Sequence, residues 1–121
     1  MRALNILVVE DHALIGLLLG ELLVELGHSV GAIEATRAGA VAAAIRFAPD
    51  LIIADVWLGD DDGVAAVDEI LRTRWTPHVF VSGHVSPELQ ARPGAVCLRK
   101  PYRDSDLEAA MELALAAPAP K

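Results

Sequence analysis

The chain is poor in cysteine, in aromatic residues and in cations. Cys97 is the single thiol among 121 residues, which excludes an internal disulfide framework and a cysteine-built zinc site. That usage suits a reducing, cytoplasmic setting. Aromatic residues make up 4 %, so Ala, Val and Leu must fill the core. Ten Lys and Arg face 17 Asp and Glu, for a net charge of −7, and the only lysines are Lys100 and Lys121. Without a basic stripe, no direct contact with nucleic acid is expected, because that binding needs cations to displace phosphate counterions. The polybasic signal for anionic membranes is missing too. Met1–Val9 runs straight into Glu10–Asp11, which gives no signal-peptide pattern. Ala13–Leu23 is broken by Glu21 and too short to cross a bilayer, so no membrane association is expected.

What is present is apolar: 54 % of residues are hydrophobic and 22 % charged. The length is that of one domain, which buries about two-thirds of its unfolded surface. That composition excludes intrinsic disorder. A domain over residues 1–116 and a flexible tail over 117–121 are expected, since Pro118 and Pro120 prevent a helix from continuing.

Within the domain, short apolar runs alternate with helical segments. Strands are predicted at Leu4–Val9, Ser29–Ala35, Leu51–Val56, Val79–Val81 and Ala95–Leu98. A Leu-rich helix over Ala13–Leu26 ends at Gly27; Thr36 caps a second that runs to Phe47; Asp62 caps a third over Val64–Thr73. A last helix starts at Asp104 or Ser105 and runs through Leu115. The leucine stripe of the first helix, including Ile15, Leu18, Leu19 and Leu23, is core or partner surface. Strands apolar on both faces and alternating with helices predict an α/β, doubly wound, five-stranded parallel sheet of the flavodoxin-like kind, order 2-1-3-4-5, with five helices. In such sheets ligands bind beyond the carboxyl ends of the strands.

Those ends hold Glu10 and Asp11, Asp55, Ser82, and Lys100 before Pro101. Three carboxylates at one spot repel unless a cation joins them, and hard oxygen donors favour Mg²⁺ or Mn²⁺. A lysine and a hydroxyl beside them suit a phosphoryl group, and aspartate is a known nucleophile for one. Taken singly, the acids could be helix-dipole or turn residues and Ser82 a turn residue. Asp60–Asp62 reads as a solvated loop, Cys97 as a small buried hydrophobe, and the four scattered histidines as no zinc site.

The runs Val8-Val9-Glu10-Asp11-His12, Pro49-Asp50-Leu51-Ile52-Ile53-Ala54-Asp55-Val56, Asp62-Gly63, Val79-Phe80-Val81-Ser82-Gly83 and Arg99-Lys100-Pro101 together resemble the receiver domain of response regulators, across Leu4 to Leu115. The resemblance implies a single-domain regulator that takes a phosphoryl group from a histidine kinase or histidine phosphotransferase and passes the signal to a downstream protein, as a monomer or weak dimer. It implies Asp55 as phosphoacceptor, Asp11 as the principal Mg²⁺ carboxylate, Glu10 assisting through water, and the Trp57 backbone carbonyl as a further ligand. Ser82 and Lys100 would bind phosphoryl oxygens, and Lys100–Pro101 would be a cis peptide. Kinase docking is expected near Ala13–Leu17.

The sequence departs from the family at several points. Cys97 stands where an aromatic switch residue is usual. The Ser82–Lys100 segment is short by about one helical turn, and Pro87 and Pro93 leave only Glu88–Arg92 for a stunted fourth helix. These features resemble a subset of alphaproteobacterial stand-alone receivers, and they suggest a switch that orders the Gly83–Gly94 loop. Gly59 replaces a usual proline, so a looser Leu58–Asp62 loop is expected. Trp57 and His84, two past Asp55 and Ser82, border the phosphoryl position, with Trp57 a candidate shield against water. Two other readings are a phosphorylation-silent binding module and an aspartate-nucleophile phosphatase. Against the second, Trp57 stands where a phosphatase needs its second acid.

Overall fold

The five apolar runs lie side by side in a computed structural model, which describes residues 2–119. The strands β1 (Asn5–Val9), β2 (Ser29–Glu34), β3 (Leu51–Asp55), β6 (His78–Ser82) and β7 (Val96–Arg99) form one sheet, in the order β2-β1-β3-β6-β7. All four pairings are parallel. Counting these five alone, the order is the expected 2-1-3-4-5. Two short strands, β4 (Trp57–Leu58) and β5 (Asp61–Asp62), make a separate antiparallel pair. The helices are α1 (Ala13–Glu25), α2 (Arg37–Phe47), α3 (Gly63–Thr73), α4 (Pro87–Gln90) and α5 (Asp104–Ala116).

Alternation along the strands divides the core in two. Ile6, Val8, Leu51, Ile53, Val79 and Val81 pack with Leu19 and Leu23 of α1 and with Leu107 and Met111 of α5. Leu7, Val9, Ile52, Ala54 and Phe80 pack with α2, α3 and Leu89 of α4. The small residues Ala40, Ala43 and Ala44 let α2 lie close to the sheet. Strand β2 is an edge and alternates between exposed and half-buried residues, so it is less apolar than the central strands.

Local signals set the helix limits. Thr36 Oγ1 accepts from the Gly39 N–H, and the Asp62 carboxylate accepts from Val64 and Ala65, so both expected caps are made. Gly27 follows α1 at φ 96°, a left-handed backbone that suits glycine. On α1, Gly16, Leu19, Gly20 and Leu23 are buried, at i, i+3, i+4 and i+7 spacing. Ile15 and Leu18 of the leucine stripe are exposed instead. The reason is that Gly16 and Gly20 bring the helix down onto Ile33 of β2 along a different line. Among the described residues no helix is long and apolar enough to cross a membrane. Helix α5 ends at Ala116; residues 120 and 121 of the expected tail lie outside the described residues.

Two expectations are corrected. The Leu58–Asp62 loop is not loose. Gly59, at φ 63°, turns the chain so that Trp57 pairs with Asp62 and Leu58 with Asp61, and Leu58 is buried beneath the turn. The Gly83–Gly94 segment is also already structured. Ser86 caps α4 by accepting from the Leu89 N–H, Leu89 is buried, and Arg92 pairs with Asp68 of α3. Helix α4 itself is short, as expected.

Candidate functional site

Each expected site residue ends or follows a strand, and parallel strands place those ends on one edge. β1 delivers Glu10, β3 delivers Asp55, β6 delivers Ser82, and β7 leads into Lys100. Asp55 and Lys100 are 45 residues apart in sequence, yet Lys100 Nζ lies 2.5 Å from Asp55 Oδ2. The other carboxylate oxygen, Oδ1, accepts the Trp57 N–H at 2.9 Å. Both oxygens of Asp55 are therefore held, and its side chain is 11 % exposed. Lys100 Nζ is also 3.9 Å from Glu10 Oε1. The Lys100–Pro101 peptide is cis, as the resemblance implied.

The electrostatics follow from crowding. Burial pushes the Glu10 carboxyl above its ordinary value; the His12 N–H, donated to Oε2, pulls it down, and Asp55 and Asp11 push it up again. Burial alone would lower the Lys100 ammonium, but Asp55 and then Glu10 outweigh it and hold it above its ordinary value. Asp11 is exposed, and its Oδ2 faces the turn at Gly59, 3.3 Å from where a Cβ would stand. Among the described residues no three His, Cys, Asp or Glu side chains are arranged to hold a metal ion together.

Ser82 lies at the edge but is engaged elsewhere. Its hydroxyl donates to the His84 carbonyl at 2.6 Å and accepts the His84 N–H at 3.1 Å. Trp57 contributes its backbone to the site, while its side chain is 71 % exposed along a groove shared with Val64, His84 and Leu89. So open a ring is a poor shield for Asp55. His12 caps α1, its Nδ1 accepting from Ile15. Half-buried Cys97 packs with Phe80 in the α2–α3 core, and burial pushes its thiol up.

Sequence reasoning missed three parts of this arrangement. Gly63 starts α3 against the site strand, its N–H bonded to the Val56 carbonyl. The Asp61 carboxylate accepts the Arg37 N–H at 2.8 Å, which ties the β4–β5 turn to α2. Arg92 reaches from beyond α4 over the Phe80 ring to Asp68. Asp62-Gly63 was visible as a motif, but its close approach was not; Arg92 and Asp68 are 24 residues apart, and no local pattern joins them.

Comparison with known proteins gives a consistent picture. The family model described as "Response regulator receiver domain" matches residues 6–112. The phyllosphere-induced regulator PhyR of Methylorubrum extorquens is 35 % identical over 93 % of this chain and 44 % of its own length. The transcriptional regulatory protein PdtaR of Mycobacterium tuberculosis is 36 % identical over 92 % of this chain and 56 % of its own. The chain thus spans about half the length of these curated relatives. Among solved structures, the receiver domain of PhyR from Erythrobacter litoralis superposes with a TM-score of 0.85 at 30 % identity, covering 100 % of this chain and 97 % of that one. PhyR from Brucella abortus gives 0.84 at 29 % identity, over 94 % of this chain and 48 % of that one.

Proposed function

The chain belongs to the response regulator receiver family, and from that membership we propose that Asp55 accepts a phosphoryl group from the phosphohistidine of a kinase or phosphotransferase. A carboxylate oxygen of Asp55 attacks phosphorus in line; the P–N bond breaks, its electron pair stays on the imidazole, and an acyl phosphate forms. The observation that carries this reading is the Lys100 ammonium seated 2.5 Å from Asp55 Oδ2. From there the ammonium would balance charge on the incoming oxygens. The Trp57 N–H orients the acceptor from the opposite side. The Ser82 hydroxyl would exchange the His84 carbonyl for a phosphoryl oxygen.

The donor set fits a small hard cation. Burial and then the neighbouring Asp55 and Asp11 hold the Glu10 carboxyl above its ordinary value, a crowding that a cation such as Mg²⁺, which binds through few carboxylates and keeps water, would relieve. Asp11, Asp55 and the Trp57 carbonyl would hold Mg²⁺ or Mn²⁺, with Glu10 reaching it through water. Bound there, the ion supplies neutralisation of the carboxylates and phosphoryl oxygens. The output of the domain is contact with a downstream protein, in the cytoplasm.

Intact mass after incubation with Mg²⁺ and acetyl phosphate tests the reading. One added phosphoryl group, absent in Asp55→Asn and strongly reduced in Lys100→Ala, is expected. An unmodified native chain would overturn it, as would fast turnover of phosphomonoesters without an adduct.

A further inference from the structure

The arginines are unevenly used. Arg2, Arg37 and Arg92 pair with Asp50, Glu69 and Asp68. Arg46 and Arg72, in the last turns of α2 and α3, and Arg74, which closes α3, are exposed and have no acidic partner among the described residues. Helix α2 contains no acid, and the two acids of α3 are those already engaged by Arg37 and Arg92. A chain of net charge −7 therefore has a positive rim at the carboxyl ends of two neighbouring helices. Helix dipoles draw cations to such ends. That accounts for Arg46 and Arg72, but not for the surface between them.

Between these helix ends runs a groove of about 160 Å³ lined by Val41, Ala44, Ile45, Ile70, Thr73 and Arg74. Ile45 is 70 % exposed on its rim. Single exposed aliphatics are ordinary. One set beside an apolar groove with unpaired arginines along it is a recognition surface in outline. Pockets that enclose small molecules run to roughly 300–1,000 Å³, so this one is sized to anchor side chains.

We propose that the α2–α3 groove docks an acidic amphipathic segment of a partner protein. Its aliphatic side chains enter beside Ile45, and its carboxylates meet Arg46, Arg72 and Arg74. This is the helix-in-groove mode, with anchors at i, i+3, i+4 and i+7. Complementary charge supplies steering and rejects basic competitors. The helices run back from the strand ends, so the groove lies at the far end of the sheet from Asp55. A docked segment leaves the acceptor carboxylate open, and the domain could be held by one protein while another phosphorylates it.

The test uses the full chain labelled with ¹⁵N and three probes: a helical peptide with leucine anchors and a glutamate flank, the same peptide with lysine for glutamate, and phosphatidylglycerol vesicles. The acidic peptide is expected to shift amides within Val41–Ala48 and Ile70–Thr76, with an affinity that falls as salt rises. Ile45→Asp and the double variant Arg46→Glu/Arg74→Glu, all exposed positions, should each weaken it by about tenfold or more, with the fold retained by circular dichroism. Several results would overturn the proposal: no shifts at about 1 mM peptide, equal binding of the lysine peptide, variants that bind like the native chain, or shifts produced by vesicles alone. Self-association of the chain through this face would also overturn it.

Discussion

A methyl group added at position 63 would stand 1.8 Å from the Asp55 carbonyl oxygen, so α3 can begin where it does only with glycine there. Gly63→Ala is expected to cost about 3 kcal/mol or more, because backbone rather than a flexible side chain must yield; urea titration measures it. His78 gives a second expectation at this scale. It is buried between Trp75 and Phe80, with Nδ1 on the Thr76 carbonyl at 2.9 Å, and burial holds its imidazole below the ordinary 6.5. The unfolded chain takes up the proton first as pH falls. Stability from this group is therefore complete above about 6.5 and declines as pH drops toward the lower folded value. Urea midpoints measured from about pH 7.5 down to 5.5 should fall, and His78→Gln should flatten that slope. Some single residues show their chemistry in the sequence itself. Asp55 follows a wholly apolar run, and Lys100 is the only lysine before the terminal residue, so their chemistry is legible in the chain. The His84 carbonyl that occupies Ser82 is not, because a backbone acceptor has no letter in the sequence.

At the level of elements, existence and type were legible while fine geometry was not. The five strands and the caps at Thr36 and Asp62 follow from apolar runs and short polar side chains. The sequence over the β4–β5 pair suggests a looser loop, because glycine signals freedom until the turn it permits is seen. At φ 63°, position 59 cannot accept the fixed backbone angle of proline. Gly59→Pro should therefore speed amide exchange at Trp57 and Asp62, as measured by NMR. Helix α4 presents the complementary case. Its shortness follows from Pro87 and Pro93, but its attachment through Arg92 and Asp68 comes from packing. Beryllofluoride with Mg²⁺ should draw Ser82 from His84 and change exchange mainly across Gly83–Gly94. Unchanged exchange there would separate phosphorylation from movement of this segment.

Across the whole molecule, the acid excess and the few cations acquire positions. Glu10 and Asp55 meet a single ammonium at one edge of the sheet with Asp11 following Glu10 in the chain, and the arginines without partners among the described residues include three at the ends of α2 and α3. A ligand that binds only the folded state raises stability with its concentration. The melting temperature should rise with added Mg²⁺ and return on chelation, and Asp11→Asn should blunt the response. The topology was legible because alternation of strands and helices admits few arrangements. The direction of α1 was not, since nearly every residue of that helix is apolar and the periodic signal is weak. The contact of Gly63 with the Asp55 carbonyl has one further consequence. With no room for a methyl group between them, α3 cannot slide against the acceptor strand. The acceptor strand and the start of α3 therefore move as one piece, so a displacement of the Asp55 backbone would carry the first turn of that helix with it.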